Sequence, residues 1–594
     1  MATEAVILTS PAPDAYDLNL AKLVRFLGLE CKILRVEDRR LSLDYLNDSI
    51  PVESPCVMVN TSLLADLCAA GQKLDPLKSF IRSRKSFVLV YNVTPAEQQS
   101  AALADITDGL VSSVTSFAHD GYAYEVCDDN RPICRQFSGL SIDPIESKHD
   151  FGLECPKSLE PDVTELIAID KRPYFLRLQK ETSFLFLLAN NHVVDPARMA
   201  RYKTYACIYF SRLVPVLMFL KHVFGGQCWH RTVSQASCII DDPLLKEPYG
   251  SLSYTRLLQV MADHNFFTNI AFIPRNYRRT KKDVARLIAA RPDRYGLCVH
   301  GCDHTRREFS ERDPLELNRL IHLADTRMAA HQQRTGLKFA RFMLFPQAYF
   351  SKQAMMMLKA NNYIGAASVA ISPRDDRNRV VTSSLLDLAV MDYSSFPLLV
   401  RRYPREVLSL ALDMFLGKPG LVYLHQDDFT GGYTDVIQLI EKMNAMDDTI
   451  VWAGMTDIMQ SFYKQKTNGD RHTDIALYSD DCVLTNSSAF PRKYSVIKHE
   501  KGDVSLEKVT HNGEAVDVEI IDGILKLEIE IPPESELRIR AHYANRIPYI
   551  EKRKNLKKEM VIWARRRLSE FRDTRLNRIL VLKLSANRLM NKFR

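Results

Sequence analysis

The sequence predicts an α/β protein: a doubly wound parallel-sheet domain, then a (β/α) barrel, a small antiparallel β module and a basic helical tail. Three observations predict it. Short apolar runs alternate with helical periodicity over residues 1–117, and the alternation resumes on a larger scale over 227–465. Helical periodicity then gives way to short strands punctuated by the turn dipeptides Asn512-Gly513 and Asp522-Gly523. Finally, residues 546–594 hold 16 Lys/Arg against 4 Asp/Glu, although all 594 residues together carry only +8. The body is therefore mildly acidic and the tail strongly basic.

The composition, 46% hydrophobic and 26% charged, is that of an ordinary globular chain and excludes collagen-like, low-complexity and largely disordered classes. The longest uncharged apolar run, 213–220, falls far short of the ~20 residues that cross a bilayer. Residues 1–10 lack a basic n-region and do not resemble a secretory signal, so a cytoplasmic location is expected. Twelve cysteines without framework spacing are expected as free, mostly buried thiols.

In chain order, 5–10, 31–36, 56–61, 86–92 and 109–117 read as strands, with helical stretches at 14–30, 62–82 and 95–107. This βαβ succession implies a parallel sheet. Neither GxGxxG after the first strand nor GxxxxGK[ST] occurs, so no ligand is assigned to this part. Residues 118–202 look β-rich and extend the domain to 1–202. An apolar helix over 202–224, ended by Gly225-Gly226, forms a connecting segment, 203–226. The barrel is expected over 227–465, the β module over 474–545 and the tail over 546–594. The tail carries a helical stripe of Ile579, Leu582, Ala586, Leu589 and Phe593.

The expected chemistry sits at strand ends in the central part, where α/β barrels place polar groups. Asp241-Asp242 follows an apolar strand, so one carboxylate can bind a metal while its neighbour stays free as a base. His300 and His304, four residues apart after another apolar run, offer imidazoles suited to zinc and similar ions. Cys298 and Cys302 interleave with them and raise a rival thiolate site, but without a second CxxC pair both are read as buried small residues. His425 ends a third apolar strand, where a hydrolase needs a group to protonate its leaving group.

Over roughly residues 230–465 these features resemble the polysaccharide deacetylases of carbohydrate esterase family four and related deacetylases. The matching segments are Ile240-Asp241-Asp242-Pro243, His300 through His304, Phe345-Pro346-Gln347 and Leu424-His425, in that order. The resemblance implies a deacetylase-like barrel with Asp241 as general base, Asp242, His300 and His304 as ligands of a divalent transition metal, zinc by preference, and His425 as general acid. It also implies a backbone N–H near Gln347 or Ala348 as an oxyanion donor. The implied activity is hydrolysis of an acetyl group from an N-acetylated sugar or glycan precursor.

Three positions depart from the family pattern: Pro243 for glycine, Gly301 for serine or threonine, and Leu344 for the arginine that orients the base. Arg341 is a candidate substitute, and Asp392 a candidate partner for His425. Two rivals follow: a catalytically degenerate glycan-binding or scaffold protein, and a metal-free glycosidase using carboxylates among Asp241, Asp242, Asp427 and Asp428. Trp563 and Phe571 among Arg565, Arg566 and Arg567 make an anionic membrane surface the expected partner of the tail, ahead of self-packing, and nucleic acid is not expected.

Overall fold

The computed structural model describes residues 4–576, apart from 38–40, 52–53, 55, 118–120, 144–147, 156–161, 201–205, 374–379, 470 and 552–554. The N-terminal sheet has nine strands. Glu30–Arg35, Glu4–Thr9, Cys56–Asn60, Phe87–Tyr91 and Ser183–Leu188 lie side by side and parallel. An antiparallel run of Arg172–Lys180, Val163–Ile169, Tyr124–Val126 and Ser141–Ile142 extends them. Cys56–Asn60 is buried at every position, as expected of a parallel strand covered on both faces.

Two elements differ from the sequence reading. The expected strand at 109–117 shrinks to Ser113–Thr115 and pairs antiparallel with Gly152–Glu154 in a separate ribbon. The stretch at 62–82 is two helices, Thr61–Ala69 and Asp75–Ser83, parted at Gly71, whose φ of +76° favours glycine.

The helix Phe210–Phe224 is buried on most of its surface and lies between the first sheet and the barrel. Phe219 packs on Phe186 of the sheet, with ring centroids 5.1 Å apart. Lys221 reaches over the Phe415 ring and donates its Nζ to the Phe415 carbonyl.

Seven parallel strands then form the barrel: Gln235–Asp241, Thr268–Phe272, Tyr295–His300, Ala340–Leu344, Gly365–Ser368, Leu398–Val400 and Gly420–His425. The first and last strands pair directly, with Asp241 opposite His425. The remaining gap is bridged by Arg402, whose N–H donates to the Leu421 carbonyl and whose carbonyl accepts from the Tyr423 N–H. The interior is a packed core. Ile239, Ala271, Cys298, Leu344, Ala367, Leu399 and Leu421 contribute one inward side chain per strand, and Met455, Ile458, Met459 and Phe462 join the same cluster.

Beyond the barrel, two facing sheets enclose a core that includes Ile475, Leu484, Val496 and Ile539. Their pairing is antiparallel except between His472–Leu477 and Arg492–His499. Asn512-Gly513 and Asp522-Gly523 both form hairpin turns with positive φ at each residue. The tail begins with the helix Leu556–Phe571. The expected stripe from Ile579 to Phe593 lies outside the described residues. Among the described residues, no helix is long and apolar enough to cross a membrane.

Candidate active site

Strand periodicity builds the site. Side chains two residues apart on a strand share a face, so Asp241 follows inward-facing Ile239, His300 follows Cys298 and His425 follows Leu421 and Tyr423. The same rule carries Arg401, two residues past inward-facing Leu399, to the same end. The structure thus brings Asp241, Asp242, His300, His304 and His425 together at the carboxyl end of the barrel.

Asp242 leaves the strand with φ +72°, a left-handed turn that sends its carboxylate away from that of Asp241. His300 Nε2 lies 3.1 Å and His304 Nε2 3.0 Å from Asp242 Oδ1. That oxygen is buried and has no hydrogen-bond partner. His300 Nδ1 is 2.9 Å from the Leu344 carbonyl, an acceptor that holds a proton on Nδ1 and turns Nε2 toward Asp242. One donor atom from each of the three residues lies within 4.8 Å of the others. Three acceptor atoms converging in a buried space fit a cation, and two imidazoles with one carboxylate suit zinc or a similar divalent ion.

Burial works to raise the Asp242 carboxyl, but His304, His300 and His425 overcome it and leave it well below the usual carboxylate range. Burial likewise works against charge on His425, yet Asp242 and Asp427 carry it up to about 10. Its Nε2 is 3.9 Å from Asp242 Oδ2 and its Nδ1 3.5 Å from Asp427 Oδ2. Asp427 therefore takes the place expected of Asp392, whose Oδ2 is buried without a hydrogen-bond partner and whose carbonyl accepts from Lys501 Nζ.

Arg401 is the residue the sequence reading missed. Its Nη1 donates to Asp241 Oδ1 at 2.6 Å and its Nη2 to Oδ2 at 3.1 Å, and its guanidinium lies 5.0 Å over the Tyr423 ring. The expected substitute, Arg341, instead bonds Asp325 and the Asn361 carbonyl. Glu308 was missed too. Its carboxylate accepts from the backbone N–H groups of Cys302, Asp303 and His304 at 2.9–3.1 Å and so shapes the loop that aims His304. This explains Gly301: at φ +62°, a Cβ there would meet Glu308 and come within 2.5 Å of Pro346 Cγ.

The thiols lie elsewhere. Cys298 faces Asn269 inside the barrel, Sγ to Oδ1 3.6 Å, and Cys302 belongs to the outer core with Arg327 Nη1 3.4 Å from its sulfur. The left-handed turn at Gly301 separates the two faces, so the extended segment that would align Cys298, His300 and Cys302 does not form. The Ala348 N–H donates to the Phe345 carbonyl, which removes it as an oxyanion donor.

No protein-family model matches the chain, and no curated protein does. Among solved structures, the chain is similar to Agd3, described as a carbohydrate deacetylase, at 8% identity and a TM-score of 0.49, over 91% of this chain and 99% of that one. It is also similar to a family 4 carbohydrate esterase from Streptomyces lividans, at 10% identity and a TM-score of 0.24, over 38% of this chain and 94% of that one. A third is BA3943 from Bacillus anthracis, a family 4 pseudoenzyme, at 13% identity and a TM-score of 0.26, over 41% and 72% of the two chains.

Proposed function

We propose that this protein is a metal-dependent hydrolase that removes an acetyl group from an N-acetylated sugar or glycan precursor. The observation that carries the reading is the convergence of Asp242, His300 and His304 on a buried point, with Asp242 Oδ1 left without a hydrogen-bond partner. A divalent ion, zinc by preference, would be held by these three side chains and would supply Lewis acidity toward water and the acetyl carbonyl.

The chain's own residues divide the proton transfers. Asp241, beside this cluster with Oδ2 3.9 Å from His300 Nε2, accepts the proton of the attacking water. Arg401 holds both Asp241 oxygens, fixing the carboxylate plane while leaving each oxygen a second lone pair for that proton. His425, kept charged by Asp242 and Asp427, donates a proton to the departing amine. Arg401 supplies the orientation that Leu344 cannot, so the departure at Leu344 no longer argues for a degenerate barrel.

The test is acetate release from N-acetylated oligosaccharides. Wild type should release acetate, and Asp241→Asn should lower turnover by roughly two orders of magnitude with metal content unchanged. A metal-loaded wild type that releases none from any N- or O-acetylated sugar overturns the reading.

The tail supports attachment to an anionic membrane surface. Its helix docks by a charged face: Glu570 binds Lys246 and Arg279, Glu559 binds Arg275, and buried Asp573 accepts from the Tyr249 hydroxyl. Away from the docked face the helix exposes Leu556, Met560, Leu568 and Phe571, each at least half exposed, with Arg565 beside them. An apolar stripe turned outward among arginines matches an anionic lipid surface. Self-packing and lipid contact are thus the two faces of one helix.

A further inference from the structure

Next to the candidate active site, but outside its cluster, a cavity of about 1080 Å³ lies between the tail helix Leu556–Phe571 and the barrel helix Pro314–Thr335. Asp303, the residue before His304, lines it. We propose that this cavity binds an anionic saccharide, a sugar carrying a phosphate or carboxylate group, through Arg278, Arg566 and Asn276. The proposal goes beyond the deacetylase reading and stands without it.

Most charges around the cavity cancel in pairs. Asp303 takes Arg275 at 3.0 Å and Arg327 at 2.7 Å, Glu559 takes the other arm of Arg275 at 2.8 Å, and Glu316 takes Arg319 at 2.7 Å. Two lining arginines have no carboxylate among the described residues. Arg278 is exposed and stacks 5.1 Å over Tyr277, and Arg566 has a buried Nε without an acceptor. Asn276, only 2% exposed, also lines the cavity, and its Nδ2 has no acceptor. Buried donors are almost always satisfied in a folded protein. Two buried donors lacking an acceptor on one cavity, Asn276 Nδ2 and Arg566 Nε, beside an exposed arginine with no carboxylate, therefore point to an acceptor that arrives with a ligand. Guanidinium groups select phosphate and carboxylate oxygens.

The rest of the lining fits a sugar. Tyr277, Tyr549 and Trp563 border the cavity and offer amphipathic ring faces, with Trp563 and Tyr549 both more than half exposed. The volume sits at the upper end of ordinary ligand pockets, room for more than one sugar ring. The one further acid on the lining, Glu551, is at the exposed rim.

Isothermal titration at low salt with pyrophosphate and with glucuronate tests this, on metal-loaded protein and again in EDTA. At least one probe should bind in both conditions. The Arg278→Gln/Arg566→Gln double variant should weaken that binding at least tenfold, and Asn276→Asp, which puts a carboxylate in place of the donor, should weaken it too. Arg565→Gln, on the exposed side of the helix, should leave it unchanged. If the double variant does not fold, the exposed single change Arg278→Gln must still weaken binding at least threefold. Absence of binding by both probes, binding that EDTA abolishes, or affinity unchanged in the variants overturns the proposal.

Discussion

Arg401 and Asp241 form a buried ion pair with two parallel hydrogen bonds, at 2.6 and 3.1 Å, between chain positions 160 residues apart. Both side chains are almost fully buried, 3% and 8% exposed. Removing one partner of such a pair costs about 3–5 kcal/mol because the other charge is stranded. Arg401→Lys keeps the charge but loses the fork. It should lower kcat roughly tenfold to a hundredfold with KM and metal content little changed. Equal kcat in Arg401→Lys and wild type would remove Arg401 from the positioning of Asp241.

The proposed ligand set of Asp242, His300 and His304 makes its own prediction. His300→Ala or His304→Ala should abolish retention of a divalent ion, since two remaining donors make a weak site. Asp242→Asn should do the same. Cys298→Ser and Cys302→Ser should retain it, because neither sulfur belongs to the cluster. Elemental analysis after dialysis reads all five.

In the proposed mechanism His425 donates to a leaving amine, whereas a leaving phenolate departs unaided. His425→Ala should therefore cut turnover on an N-acetyl sugar by roughly two orders of magnitude and on an activated acetyl ester much less. Asp427→Asn, which removes one of the two carboxylates that keep His425 charged, should shift activity in the same direction by a smaller factor. Equal fractional losses of His425→Ala on both substrates would make the histidine structural.

The tail should not behave as a free appendage. Full-length protein should bind anionic vesicles at low salt and release them as salt rises. Leu568→Glu with Phe571→Glu should abolish that binding without loss of fold, both side chains being at least half exposed. Truncation before Leu556, by contrast, takes Glu570 from Arg279 and Lys246, takes Glu559 from one arm of Arg275, and removes buried Asp573. It should lower Tm and turnover together. A truncated protein with unaltered Tm would contradict the docking.

Lys221 supplies a pH dependence of stability. Burial pushes its amine down to about 7, aided by Arg135 and Lys464 and opposed by Cys228. The unfolded chain therefore binds one more proton than the folded chain between about pH 7 and the ordinary lysine value near 10.5, so this group makes stability rise with pH across that window. Lys221→Met should raise Tm by a few degrees at pH 7 and flatten the profile between pH 7 and 10. A profile identical to wild type would sink the assignment.

The strand-end residues were legible because a parallel barrel repeats one local rule: an apolar run with period two ending in a polar side chain. Asp241, His300 and His425 each stand at such an end, and the structure brings them together. Arg401 obeyed the same rule after Leu398–Val400, but with Arg402 beside it the pair reads as a solvated strand end. Only the closure of the ring, with Arg402 bridging to Gly420–His425, puts it near Asp241. The direction of the tail helix was illegible for a different reason. An amphipathic helix is expected to bury its apolar stripe, whereas this one is held by Glu559, Glu570 and Asp573 against cations and a tyrosine supplied by residues some 300 positions earlier.

The most direct measurement is acetate release from an N-acetylated oligosaccharide by one protein sample, followed through chelation and then titration with zinc. The account predicts that turnover falls to background on chelation and returns in proportion to added ion, reaching its plateau at about one ion per chain, while Asp242→Asn stays at background throughout. Turnover that survives complete removal of the ion, or that Asp242→Asn retains, would contradict it.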